Sequence, residues 1–343
     1  MKGERWAYLD GVRGVAALTV AVFHCHGLFA ASPFLSKGYL AVDMFFVLSG
    51  MVLEANYGER IRERVTCVLV FSVERLRRLL PMVWIGAAVV GLVNLTGFGS
   101  SDVSVNSFPA LLRALLLMPT LITTGESGPG QDSAFPANGP LWSLFDELVV
   151  NFVWVVCLWR ARGRSFLIIA SMMIVGSAVA IAVHDGSLNF GWQSDAGEMG
   201  MGVVRAMGDF FIGTLLTRYR HYGLVRLERI SWISGVALFE AFVVGCMLLA
   251  ARAPGLCDSA VAIGSTLTLC FLREKAASGG VAYVMTWLGR ISYPAYLLHA
   301  PIGRLFLGRE AGWGTGGLFL GALVSAAVLA HVYVEVPSRS ALS

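Results

Sequence analysis

The chain has 343 residues, of which 56% are hydrophobic and 14% charged, with a formal net charge of +4. Soluble domains carry about 25% charged residues, so this composition excludes an ordinary soluble enzyme and predicts an all-α integral membrane protein. So small a net charge gives no reason to expect a nucleic-acid partner, because in such chains the placement of Lys and Arg matters more than their sum.

Apolar runs recur at 11–30, 38–54, 79–98, 109–124, 140–159, 165–183, 200–217, 231–251, 256–272, 285–307 and 313–334. The first, "LDGVRGVAALTVAVFHCHG", holds Arg13, His24 and His26. These interruptions, and the many runs that follow, mark a retained first span rather than a cleavable signal peptide. Arg13 and His24 are eleven residues apart, roughly 20° past three helical turns at about 100° per residue. They share one face, about 16 Å apart along the axis, with Arg13 expected near the cytoplasmic surface and His24 deep in the bundle. An Arg there also serves as a snorkelling anchor, and an intramembrane His as a helix–helix contact. His26 points about 200° away from His24, so the two make no metal pair on this helix.

The second run, "GYLAVDMFFVLSGMVLE", contains Asp43 and Ser49. An aspartate there needs a partner, and Arg13 or a histidine is the natural candidate. In "FSVERLRRLLP", Arg75 and Arg78 stand one turn apart before a span, spaced to orient the chain or to clamp an anion. The 109–124 run is short, contains Arg113 and lies between Gly/Ser/Pro-rich stretches. "NGPLWSLFDELVVNF" opens the next span with Asn138, Trp142, Ser143, Asp146 and Glu147. Trp142 suits an interfacial belt, and a helix N-terminus favours the paired carboxylates. "RAMGDFFIG", "LGRISYPAYLLHAPIG" and "HVYVEVPSR" add Arg205, Asp209, Tyr293, His299 and Glu335. So many polar groups in apolar runs predict a polar cavity inside the bundle.

The six cysteines show no CxxC spacing, and there is no P-loop, GxGxxG or HExxH. The thiols read as buried and free, with no metal expected. If the 109–124 run does not cross, ten spans remain with both termini cytoplasmic. That topology puts 18 of the 26 Lys and Arg residues in cytoplasmic segments and four in outer ones, as the positive-inside rule asks. Residues 1–343 then read as one membrane domain with no appended soluble domain.

These motifs resemble acyltransferase family 3, bacterial membrane enzymes that O-acylate glycans, peptidoglycan, Nod factors or macrolides. The resemblance runs from "YLDGVRGVAALTVAVFH" through "GYLAVDMFFVLSG", "RLRRLLP", "NGPLWSLFDE" and "RAMGDFFIG" to "LGRISYPAYLLH" and "EVPSR". The family's Arg-x10-His motif falls on Arg13 and His24, its RxxR on Arg75 and Arg78, and its WSLxxE on Trp142, Ser143 and Glu147. The common "WSLSVEEQFY" is here "WSLFDELVVN", with Asp146 present and Leu148 in place of the second glutamate.

The resemblance implies an acyl-CoA donor substrate, most simply acetyl-CoA, entering from the cytoplasm past Arg13, Arg75 and Arg78. It implies His24 as general base, with Asp43 fixing its tautomer and Glu147 on the outer side orienting the acceptor or a second histidine. Trp142, Ser143, Asn138, Tyr293 and His299 would contact substrate. The acceptor would be a carbohydrate or glycolipid in a membrane-lipid setting, at the bacterial inner membrane. The rival class is a secondary transporter or acyl-product exporter, which also needs a polar midplane site. No inverted repeat or paired broken helix accompanies it.

Overall fold

A computed structural model describes residues 6–29, 37–95, 108–121, 133–184, 187–219 and 279–340, together with 258, 264, 265, 268 and 269. The described residues are mostly helical, with one isolated antiparallel bridge, Ser133 to Gln193. In chain order the helices are α1 (Ala7–His24), α2 (Leu40–Leu53), α3 (Glu59–Arg62), α4 (Val68–Leu95), α5 (Phe108–Leu115) and α6 (Leu141–Arg160). There follow α7 (Arg164–Val183), α8 (Ala196–Arg218), α9 (Gly279–Arg304), α10 (Trp313–Ala330) and α11 (Val336–Ser340). Two π-helical turns, Glu54–Gly58 and His331–Glu335, join α2 to α3 and α10 to α11.

Six continuous helices are long and apolar enough to cross a membrane: Leu40–Arg62, Val68–Leu95, Leu141–Arg160, Arg164–Val183, Ala196–Arg218 and Trp313–Ser338. The chain is a multi-span membrane protein. α1 and α9, which carry much of the polar chemistry, fall outside that group. The eight residues of α5 rise about 12 Å, well short of the roughly 30 Å hydrocarbon core. The spans expected at 231–251 and 256–272 lie outside the described residues, apart from the few named above.

Small residues set the two closest crossings. A Cβ on Gly14 would sit 2.5 Å from Leu288 Cβ, and one on Gly289 would sit 2.8 Å from the Asp10 backbone, so α1 and α9 meet nearly backbone to backbone. At α2 and α8 the same holds, with a Cβ on Gly50 or Gly213 coming within 2.1 Å of the Phe210 or Val47 carbonyl oxygen. Asp195 caps α8 by accepting from the Gly197 and Glu198 amides at 2.8 and 3.0 Å.

Proline shapes α9. Pro301 has no N–H, which leaves the Leu297 carbonyl without its helical donor. The buried Asn138 side chain donates to that carbonyl at 3.1 Å. At one end of the bundle the Arg162 guanidinium donates to the Arg62 carbonyl at 2.9 Å, so the two basic loops adjoin. Toward the start of α2, the fully buried Asp258 accepts from Lys37 at 2.6 Å, Tyr39 at 2.5 Å and the Leu188 amide at 3.2 Å.

Candidate active site

Helix α9 carries the site on one stripe. Ser292, Tyr296 and His299 follow at i, i+4 and i+7, which one helix face presents together. Each meets a different partner. Arg13 donates to Ser292 Oγ at 3.1 Å and to the Gly289 carbonyl at 3.2 Å. The Tyr296 and Ser143 hydroxyls are 2.6 Å apart. His299 Nε2 stands 3.2 Å from His24 Nδ1.

A cavity of about 120 Å³ runs along this stripe between α1, α2, α4, α6 and α9. Arg13, Arg75 and Arg78 line one pole, near the end of α2; Phe45, Ser143 and Tyr296 line the other, near its start. Among the described residues, the charged ones on its wall are these three arginines and one carboxylate, Glu147. Arg75 donates to Glu147 Oε1 at 2.7 Å, and Ser49 donates to the same oxygen at 2.9 Å. Burying unlike charges without an excess would leave nothing for a ligand. Here cations outnumber anions, which suits a polyanionic molecule. Tyr293 lines the middle and donates to the Leu79 carbonyl at 2.7 Å.

His24 lies apart from this cavity. It is the last residue of α1 and is exposed at the bundle surface, not deep inside as its sequence position suggests. Its ring stacks on that of the fully buried His299, with centroids 5.0 Å apart. The Tyr296 ring meets His299 edge-on at 5.7 Å. A chain of contacts therefore leads from the Ser143 and Tyr296 pole of the cavity through His299 to His24.

Several expected partners are different ones. Asp43 meets neither Arg13 nor His24. It takes a two-point contact from Arg205, Nε to Oδ1 at 2.7 Å and Nη2 to Oδ2 at 3.2 Å, with both residues buried. Arg205 also donates to the Leu188 and Phe190 carbonyls at 2.5 and 2.9 Å. Fixing the His24 tautomer therefore falls to other groups.

Glu147 stands on the cavity wall, where it accepts from Arg75. Trp142 packs beside Arg205, 5.8 Å from its guanidinium, and Asn138 serves Leu297, so neither faces the cavity. Asp146 is fully buried, and neither carboxylate oxygen has a hydrogen-bond partner among the described residues. Sequence reasoning missed Ser292 and Tyr296. The i, i+4, i+7 spacing from His299 in "ISYPAYLLH" is the signal that finds them.

A family profile described as an acyltransferase domain matches residues 6–334. Protein 2 in the picA locus of Rhizobium radiobacter is 33% identical over 191 residues, 52% of this chain and 96% of that protein. A putative O-acetyltransferase of Staphylococcus aureus strain COL is 33% identical over 88 residues, 25% of this chain and 14% of its own length. O-acetyltransferase OatA of S. aureus strain NCTC 8325 is 36% identical over 76 residues, 22% of this chain and 12% of its own length. The chain thus spans only a small part of these staphylococcal relatives. No solved structure matches. With the profile covering nearly its whole length, the chain belongs to the family 3 acyltransferases and is a membrane acyltransferase.

Proposed function

We propose that the protein moves an acyl group, most simply acetyl, from a cytoplasmic acyl-CoA to a hydroxyl of a carbohydrate or glycolipid at the bacterial inner membrane. One observation supports this most: the cavity is cationic at one pole, and its other pole touches, through Tyr296, the histidine pair at the bundle surface. The donor's phosphates sit at Arg13, Arg75 and Arg78, where guanidinium forks match phosphate oxygens. The thioester extends toward Ser143 and Tyr296, and a rotation of the Tyr296 ring opens the way to His24.

His24 then acts as general base through Nε2. It takes the proton of the acceptor hydroxyl as that oxygen attacks the thioester carbonyl carbon. The new C–O bond forms, the C–S bond breaks, and the departing thiolate receives the proton held on His24. In an arrangement of ten spans with both termini cytoplasmic, the arginine pole would face the donor and His24 an acceptor outside. The relatives named as O-acetyltransferases support acetyl as the group and oxygen as its destination.

The test is mass spectrometry of envelope glycans from a deletion strain, with purified protein added back in nanodiscs with acetyl-CoA. Loss of a 42-dalton increment, restored by the protein with release of free CoA thiol, is the expected result. Unchanged glycans together with no thiol release from acetyl-CoA would overturn the reading.

A further inference from the structure

His299 is fully buried behind the exposed His24, and two acceptor groups converge on one His24 nitrogen. Nδ1 of His24 stands 3.1 Å from the Val20 carbonyl oxygen and 3.2 Å from His299 Nε2. A carbonyl oxygen only accepts, so the proton of neutral His24 belongs on Nδ1. Its lone pair is then on Nε2, the nitrogen able to take a proton from a substrate. His299 Nε2, facing an N–H, presents its own lone pair, which puts the His299 proton on Nδ1, near the Ala295 and Tyr296 carbonyls of its own helix but without a hydrogen bond of good geometry among the described residues.

Val20 alone cannot hold this ring. It is one turn back on the same helix, and His24 is the last residue of that helix, followed by the short 3-10 turn His26–Leu28. Phe23 touches the ring only edge-on, at 5.1 Å. His299 comes from a second helix, fixed against α1 by the Gly14 and Gly289 crossing, and its ring lies nearly parallel to that of His24, at 27°. It therefore supplies a contact from outside the helix that would otherwise fray.

We infer that His299 is a positioning residue of the transfer, holding His24 in the Nδ1–H tautomer and in a fixed ring plane by accepting from Nδ1. When His24 takes the acceptor's proton, the same contact becomes a hydrogen bond from a charged donor and strengthens. In this role His299 acts through His24, where the sequence reading gave it a substrate contact. The inference rests on His24 being the base.

The experiment is a double-mutant cycle on nanodisc-embedded protein, with acetyl-CoA as donor and a de-O-acylated envelope glycan extract as acceptor. His299→Leu should lower kcat by roughly ten- to hundredfold, the range that a lost hydrogen bond to a charged group represents. KM for both substrates should stay near the wild-type values. His299→Gln, whose side-chain oxygen can accept from Nδ1, should regain most of the rate. In a His24→Ala background, His299→Leu should add no further loss.

Wild-type kcat in His299→Leu, a loss that adds in full to that of His24→Ala, or a Gln variant no faster than the Leu variant would overturn the assignment. If His299→Leu does not insert, the nitrogen-15 shifts of His24 in the wild-type protein decide. Protonated Nδ1 with bare Nε2 supports the assignment, and the opposite tautomer overturns it. Near wild-type transfer by His24→Ala would instead bring down the base assignment, and this inference with it.

Discussion

Arg75 and Arg78 look alike in the sequence, one turn apart before a span, yet the structure gives them different neighbours. Arg75 is buried against Glu147, with Ser49 donating to the same carboxylate oxygen. Removing one partner of a buried ion pair costs about 3–5 kcal/mol, because the other charge is stranded. Arg75→Gln should therefore lower thermal stability as well as donor affinity. Adding Glu147→Gln should restore the stability and leave the donor affinity low. Arg78, half-buried on the cavity wall, offers the cleaner test. Arg78→Gln should unfold at nearly the wild-type temperature while its KM for acetyl-CoA rises severalfold, measured by differential scanning fluorimetry and steady-state kinetics. An unchanged donor KM would remove Arg78 from the donor site. The residue types of this cavity were legible in the sequence, since charges in apolar runs advertise themselves. The pairing of the buried charges was not. Asp43 and Arg205 are 162 positions apart, and only the register between α2 and α8 decides that they meet.

Between helices, the relation of Asn138 to α9 separates a structural role from a substrate contact. The missing N–H of Pro301 obliges some side chain to satisfy the Leu297 carbonyl, and Asn138 does so. Asn138→Leu leaves that carbonyl bare at a cost of about 1–3 kcal/mol. Stability should fall while KM for acetyl-CoA remains near wild type, and the reverse outcome would return Asn138 to the substrate site. The α2–α8 crossing makes a second prediction. Gly213→Leu would drive a side chain into the Val47 carbonyl, and overpacking of this kind costs about 1–3 kcal/mol or more. The variant should show lower thermal stability, while the equivalent change at Gly200, where no described residue lies within 4 Å of a Cβ, should not. Helix positions were readable from runs of apolar residues, since membrane spans need little else. The π-helical turns at Glu54–Gly58 and His331–Glu335 were not, because an extra residue per turn leaves no compositional mark.

Across the whole molecule, the contact between the Arg62 and Arg162 loops puts two arginine-rich segments at one end, where a positive-inside arrangement would have them. In a cysteine-free background, a thiol at Gly163 should label only from the cytoplasm. One at Ser127, outside the described residues, should label from the other side, and the opposite pattern would reverse the orientation. The sequence foresaw a polar cavity with Arg13 on its wall, but put His24 deep in the bundle, where the structure has it exposed. It could not foresee that Tyr296 and His299 stand between cavity and base, because that depends on how closely α9 approaches α1. The central claim is that His24 is the base for acyl transfer from CoA. It is tested most directly by the transfer rate of His24→Ala in nanodiscs with acetyl-CoA and de-O-acylated envelope glycan, on protein shown by thermal unfolding to be as stable as wild type. A positioned general base supplies about 10²–10⁴-fold, so kcat should fall by that factor with donor binding intact. A stable His24→Ala protein that transfers acetyl at close to the wild-type rate would contradict the account.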